Sequence, residues 1–134
     1  IDAFAHELSE LENAFTALTG QSMPKYFRPP EGKFNEQCMQ YADRLGYKTI
    51  FWSFAYADWD NNNQMSPASA IKKITDNIHN GAVILLHPTS STNAEIMPEL
   101  IKEIKAMGYR FGTLDELCAK SGGKAYDTYQ EVQE

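Results

Sequence analysis

The sequence of 134 residues lacks the features that mark several large classes of protein. Acidic residues outnumber basic ones, 18 to 12, and the formal net charge is −6. Nucleic-acid binding through electrostatics needs clustered Lys and Arg, so this balance predicts no nucleic-acid partner. No apolar run reaches the roughly 18 residues of a membrane-spanning helix, and we expect no membrane span. Residues 1–10 show no signal-peptide pattern. Since Ile1 is not an initiator methionine, a processed or truncated chain is expected.

Cysteine and histidine are also scarce. Cys38 and Cys118 match no metal or redox spacing, and we expect two buried free thiols. The three histidines are His6, His79 and His87, and no two of them are four residues apart. No serine, cysteine or second histidine completes a nucleophilic triad, so nucleophilic catalysis is poorly supported.

The remaining composition is that of one small folded domain, with 43% hydrophobic and 12% aromatic residues. Apolar residues recur at steps of three and four, which predicts five helices. The polar tail 121–134 has no periodicity and is expected to fray. The first predicted helix is 2–19, before Gly20, and the second follows the N-cap Asn35 and ends at Gly46. The third begins at Ser66 and Pro67 and runs through Ile78 to near Gly81. The fourth is capped by Thr92 and Glu95 and ended by Gly108, and a short fifth helix is capped by Thr113 and Glu116.

About four strands are expected between these helices, at residues 25–28, 47–54, 82–86 and 109–113. The apolar segment 82–86, "AVILL", is typical of a strand buried on both faces of a parallel sheet. Strict alternation of strands and helices predicts an α/β fold built from βαβ units. Four strands cannot close a barrel, so an open parallel sheet and a segment of a barrel wall both remain possible.

Polar and aromatic residues follow three of these predicted strands. Arg28 ends the first and precedes a loop stiffened by two prolines, Asp58 and Trp59 follow the second, and His87 follows the third. Each has an ordinary structural explanation by itself, such as a capping histidine or a rim tryptophan. Because the carboxyl ends of parallel strands gather at one edge, we expect these side chains to lie together in a site.

Three stretches carry a resemblance to a known family. "FRPPEGKFN" at 27–35, "FWSFAYADW" at 51–59 and "ILLH" at 84–87 resemble the third, fourth and fifth motifs of the polysaccharide deacetylases, the NodB-like family or carbohydrate esterase family 4. The form of the middle motif, with Ala55 and Asp58–Trp59, is most similar to the delta-lactam-biosynthetic deacetylases, which act on muramic acid in spore peptidoglycan. The resemblance covers residues 5–118.

The resemblance implies a hydrolase that removes N-acetyl groups from a polysaccharide. In that family a divalent cation, usually zinc, polarises the acetyl carbonyl and activates a water molecule, while an aspartate acts as base and a histidine as acid. By position, His87 would protonate the leaving amine and Asp58 would hold its imidazole. Arg28 would pair with the base aspartate.

Three further residues receive substrate-binding roles from the resemblance. The backbone N–H at Glu31 would help to stabilise the oxyanion, and Trp59 and Leu85 would form the walls of a pocket for the acetyl methyl group. Ala55 and Glu31 depart from the commoner family residues but are tolerated in the delta-lactam branch.

Two family motifs have no counterpart in the sequence. The "TFDDG"-like motif supplies the base and a metal ligand, the "HxxxH"-like motif supplies two more ligands, and neither is present. The resemblance therefore implies that residues 1–120 are the C-terminal half of a distorted (β/α) barrel. We expect this chain alone to ligate no metal, although zinc or another divalent cation would serve the complete enzyme.

The implied partners are an N-acetylated glycan and either the N-terminal half of the same barrel or a second copy of the chain. The implied location is extracytoplasmic or cell-wall associated in a bacterium. We expect the chain alone to be inactive and to self-associate, because half a barrel exposes apolar strand surface. Two alternatives are a non-catalytic half-barrel that binds glycans or pairs with another subunit, and an unrelated α/β binding module.

Overall fold

A computed structural model of the chain describes residues 2–120. These residues divide into two units, of which the first ends at Phe51 and the second begins at Trp52. Among the described residues, no helix has both the length and the apolar character needed to cross a membrane. The tail 121–134, predicted to fray, lies outside this range.

The first unit contains two helices and a short parallel pair of strands. Its elements are α1 (Asp2–Thr19), β1 (Tyr26–Phe27), a 3₁₀ turn (Pro30–Gly32), α2 (Glu36–Arg44) and β2 (Lys48–Thr49). The predicted bounds of the first helix are confirmed, and so is the cap of the second, since the Asn35 side chain accepts a hydrogen bond from the Cys38 N–H at 2.7 Å. β1 and β2 pair in parallel, with Tyr26 opposite Lys48. Ala42, Tyr47 and Ile50 are buried in this unit.

The second unit is built around two packed helices. It contains α3 (Pro67–Thr75), α4 (Ser91–Ala106) and α5 (Leu114–Lys120). Ser66 caps α3 with Pro67 in its first turn, as predicted. The core joins α3 to α4 and to one aromatic residue of the preceding loop; its buried members are Tyr56, Ala70, Ile74, Ile96, Leu100 and Ile104.

The predicted four-stranded sheet is wrong in extent. The second predicted strand, 47–54, continues the ladder only through Thr49, and its last residue, Phe54, forms an isolated parallel bridge with Ile84 of the segment 82–86. The segment 109–113 forms no strand among the described residues; its first amide, at Tyr109, donates to the Ile104 carbonyl at 3.2 Å and so closes the end of α4. A strand requires a hydrogen-bonded neighbour as well as an apolar sequence. The pairs that do form are parallel, and the alternation of the elements is that of an α/β fold.

Three smaller corrections concern helix ends and a thiol. The N-cap of α4 is Ser90 and not Thr92, because the Ser90 hydroxyl accepts from the Asn93 N–H at 3.1 Å while the Thr92 hydroxyl donates to the Met65 carbonyl. α3 ends at Thr75, earlier than predicted. Cys118 is buried, but Cys38 is only half-buried. The capping box of α5 is confirmed: Thr113 and Glu116 exchange hydrogen bonds, at 2.9 and 3.2 Å.

Candidate active site

Asp58 and His87 form a directly bonded pair in the second unit. His87 Nδ1 lies 2.6 Å from Asp58 Oδ1. The parallel bridge between Phe54 and Ile84 explains the meeting, because it brings the two segments together in the same direction, four residues before Asp58 and three before His87. The prediction that these two side chains come within hydrogen-bond reach is confirmed.

The Asp58 carboxylate is buried and accepts three hydrogen bonds. Oδ1 accepts from His87 Nδ1, while Oδ2 accepts from the His87 backbone N–H at 2.7 Å and from Asn93 Nδ2 at 2.6 Å. Only 1% of Asp58 is exposed, and a buried carboxylate is tolerated when hydrogen bonds replace its water. Since Nδ1 of His87 faces the carboxylate, Nε2 is the nitrogen left for a substrate. A third of the His87 side chain is exposed.

A polar network surrounds the pair. The Tyr56 hydroxyl donates to Asn93 Oδ1 at 2.5 Å, and burial, followed by the nearby Asp58 charge, raises the pKa of Tyr56. Gln64 Nε2 donates to the Asp58 carbonyl at 2.9 Å, and Gln64 Oε1 accepts from the Ser90 hydroxyl at 2.6 Å. The network therefore ties the loop after Asp58 to the start of α4.

Sequence reasoning missed Tyr56, Gln64 and Asn93 as members of this site. One signal was available for Asn93: it lies three residues before Ile96 and seven before Leu100, on the apolar face of α4, where an amide is unusual. The side chains of Tyr56 and Gln64 gave no comparable signal, because each has a partner on or beside α4 that is far away along the chain: Asn93 is 37 residues from Tyr56, and Ser90 is 26 residues from Gln64.

Trp59 and Leu85 also lie in the second unit, and Trp59 lies beside His87. The Trp59 ring meets the His87 ring edge-on, with 6.2 Å between centroids, and 63% of Trp59 is exposed. Leu85 is half-buried, and its backbone N–H donates to the Phe54 carbonyl. A cavity of about 290 Å³ opens next to His87, lined by Leu86, His87, Pro88, Asn93, Ala94 and Met97. The acetyl-pocket role of Trp59 and Leu85 stays a prediction.

Arg28 and Glu31 belong to the first unit. Arg28 is exposed directly after β1, and Pro29 behind it is buried. Glu31 has φ 55° and ψ 14°, a left-handed conformation that costs roughly 1–2 kcal/mol in a residue with a Cβ. Its side chain pairs with Lys33, whose hydrogen bond lowers the pKa of Glu31. The convergence of Arg28 and the Glu31 N–H with the Asp58–His87 pair stays a prediction.

The described residues do not fit a catalytic metal centre. Such a centre takes three protein ligands, and within residues 2–120 no three His, Cys, Asp or Glu side chains are grouped so that they could hold an ion. His6 and His79 are both exposed. The His6 ring lies near the Glu10 carboxylate, and the His79 ring lies near the Asn80 carbonyl. Both Asp58 oxygens are already engaged.

Comparisons with known proteins show similarity to polysaccharide deacetylases. A family model described as polysaccharide deacetylase matches residues 2–50. The chain is 41% identical over 116 residues to an uncharacterised 30.6 kDa protein of Geobacillus stearothermophilus. It is 38% identical over 116 residues to the peptidoglycan-N-acetylmuramic acid deacetylase PdaA of Bacillus subtilis. Each of these alignments covers 87% of this chain and 44% of the relative.

The solved structure of Bacillus subtilis PdaA, a family 4 carbohydrate esterase, superposes with a TM-score of 0.79 at 36% identity. The superposition covers 84% of this chain and 48% of that one. The chain thus spans about half the length of each of these relatives. Its small parallel sheet and alternating helices are those of part of a distorted (β/α) barrel, as the resemblance implied, and the chain is similar to the C-terminal portion of polysaccharide deacetylases.

Proposed function

We propose that this chain supplies the general acid and its supporting carboxylate to a metal-dependent polysaccharide N-deacetylase. The observation that carries the proposal is the Asp58–His87 pair, with Nδ1 bound to a buried carboxylate and the ring one-third exposed. The proposed substrate is peptidoglycan, with N-acetylmuramic acid as the sugar that loses its acetyl group. Its support is the 38% identity to PdaA, whose name describes that activity.

His87 delivers the proton that the reaction needs at nitrogen. Hydrolysis of the N-acetyl group breaks the bond between the carbonyl carbon and the nitrogen, and the amine leaves only when it gains a proton. Nε2 of His87 donates that proton, and Asp58 stabilises the charged ring through Nδ1. The products are acetate and a sugar with a free amine.

The other predicted residues have auxiliary roles in this proposal. Arg28 pairs with the base aspartate, and the backbone N–H at Glu31 faces the oxyanion of the tetrahedral intermediate. Trp59 and Leu85 enclose the acetyl methyl group. The support for these roles is the match of the motifs at 27–35, 51–59 and 84–87 to the family.

Similarity to the polysaccharide deacetylases implies a divalent metal in the complete enzyme, and we propose zinc. Since residues 2–120 do not fit a metal centre, we propose that the ligands and the base come from an N-terminal half of the barrel. A second copy of this chain lacks the same two motifs and could serve only as a pairing partner. We further propose a bacterial, extracytoplasmic location at the cell wall, with a role in sporulation. The relatives that modify peptidoglycan support this location.

Acetate release from N-acetylated peptidoglycan by the complete protein tests the proposal. His87→Ala should lower kcat/KM by about 10²–10⁴-fold, the usual contribution of a general acid. His79→Ala is the matched control, because His79 is exposed and outside the pair, and it should leave the rate unchanged. Full activity in the His87 variant would refute the acid role. Glycan binding by a wild-type protein that releases no acetate would favour the non-catalytic alternative.

A further inference from the structure

Asn93 occupies an unusual place for an amide. It lies in the first turn of α4 and is 2% exposed. Its Nδ2 donates to Asp58 Oδ2 at 2.6 Å and to the His87 carbonyl at 3.2 Å, and its Oδ1 accepts from the Tyr56 hydroxyl at 2.5 Å. The side chain therefore contacts both members of the candidate acid pair and one buried hydroxyl.

The contacts of Asn93 require a group that donates on one side and accepts on the other. Asp58 Oδ2 and the His87 carbonyl are acceptors, so the NH₂ group must face them, and the Tyr56 hydroxyl then donates to the amide oxygen. With an apolar side chain at position 93, the buried Asp58 carboxylate would lose one of the three hydrogen bonds that it accepts. The Tyr56 hydroxyl would lose its acceptor. The two acceptors set the orientation of the amide, and the Tyr56 hydroxyl stabilises that orientation by donating to the amide oxygen.

The backbone of Asn93 is held by the cap of α4. Its N–H donates to the hydroxyl of Ser90, the N-cap of α4, at 3.1 Å, and Ser90 is 1% exposed. One turn further along the helix, Ile96 packs into the core between α3 and α4. The amide is thus attached to a helix that packs in the core of the second unit. This attachment suits a group that must orient a carboxylate precisely.

We propose that Asn93, oriented by Tyr56, is a positioning residue for the deacetylation reaction. It holds the Asp58 carboxylate so that Oδ1 stays on His87 Nδ1 and Nε2 stays directed at the leaving nitrogen. The inference rests on the function proposed for His87, but the geometry that it describes can be tested separately.

The first test follows the Nδ1 proton of His87 by NMR in the full chain labelled with ¹⁵N-histidine. His6 and His79 are exposed and serve as internal references. Asn93→Ala should speed exchange of that proton with water by about tenfold or more, since the carboxylate loses a charge-assisted hydrogen bond. Asn80→Ala, at an exposed asparagine, is the matched control and should change nothing. The backbone amides of Ile74 and Leu100 should stay protected, which separates a local effect from general destabilisation.

Tyr56→Phe provides a milder second variant if Asn93→Ala fails to fold. It removes only the hydroxyl that orients the amide, and it should speed exchange of the same proton by a few-fold. In the complete enzyme Asn93→Ala should lower kcat by about tenfold or more with little change in KM, because the acid acts in the transition state.

Unchanged exchange of the His87 proton in both variants would overturn the inference, whatever the activity. Faster exchange with an unchanged kcat would overturn it as well, because the orientation would then not matter to the reaction. Faster exchange in a protein whose wild type releases no acetate would refute the proposed function and not the geometry.

Discussion

The burial of Asp58 predicts a large loss of stability for Asp58→Asn. This change keeps the size and shape of the side chain but removes its charge and replaces one acceptor oxygen with an NH₂ group. In the folded protein three N–H groups point at this carboxylate: His87 Nδ1, the His87 backbone and Asn93 Nδ2. The new NH₂ group must then either face one of these donors or force the His87 ring to move its proton from Nδ1 to Nε2.

The magnitude follows from those three contacts. A hydrogen bond to a charged group contributes about 1.5–3 kcal/mol, and a buried donor without an acceptor costs about 1–3 kcal/mol. Breaking a buried charge pair costs about 3–5 kcal/mol in other proteins. Because a third of the His87 side chain is exposed, the lower end applies, and we expect Asp58→Asn to reduce the free energy of unfolding by about 3 kcal/mol.

Equilibrium unfolding in urea, followed by circular dichroism, measures this loss. Glu95→Gln is the matched control, because Glu95 is an exposed carboxylate on α4 of the same unit, and it should change the free energy of unfolding by less than about 0.5 kcal/mol. A change that small in Asp58→Asn would refute the reasoning, since it would mean that the carboxylate does not hold the three N–H groups in solution.

Three further predictions concern stability. The free energy of unfolding should fall as the pH rises above about 10. Burial first and the Asp58 charge second raise the pKa of Tyr56 from its usual 10.0, so the folded state keeps a proton that the unfolded state releases. Tyr56→Phe should make that fall shallower in a pH series of unfolding curves without removing it, because burial also raises the pKa of Tyr47. Ser90→Ala should cost about 1–2 kcal/mol in thermal unfolding, because it removes the cap of α4, whereas Ser91→Ala, at the exposed next residue, should cost less than half as much. Gly46→Ala should lower the free energy of unfolding by about 1–2 kcal/mol, because φ is 80° at this position. The added Cβ would lie 3.6 Å from its nearest neighbour, so the cost would not come from a clash. An unchanged free energy of unfolding in denaturant would show that this turn relaxes.

The helices were the most predictable part of the fold. Their signals are local: apolar residues at steps of three and four put α1 at Asp2–Thr19, and the caps Asn35, Ser66 and Thr113 act within three residues of themselves. The cap of α4 was missed because Ser90 and Thr92 both fit the local pattern. The choice between them depends on Gln64 and Met65, which are about 26 to 27 residues away.

The strands were less predictable, because an apolar segment does not identify its partner. The segment 82–86 reads as a full strand, yet only Ile84 forms a bridge, and the segment 109–113 forms no strand pairing among the described residues. Ladder hydrogen bonds join segments that are far apart along the chain. Their extent is decided by which neighbours reach them, and that depends on the packing of the whole barrel wall.

The sequence by itself determined which family the chain resembles and which residues could do the chemistry, because the motifs at 51–59 and 84–87 carry Asp58 and His87 at the ends of apolar segments. The tertiary structure alone decided what surrounds them. The parallel bridge at Phe54 and Ile84 brings the pair within 2.6 Å, and the packing of α4 on α3 places Asn93 against the Asp58 carboxylate. A buried charge must find its hydrogen-bond partners wherever the chain brings them, and no local pattern in the sequence indicates where that is.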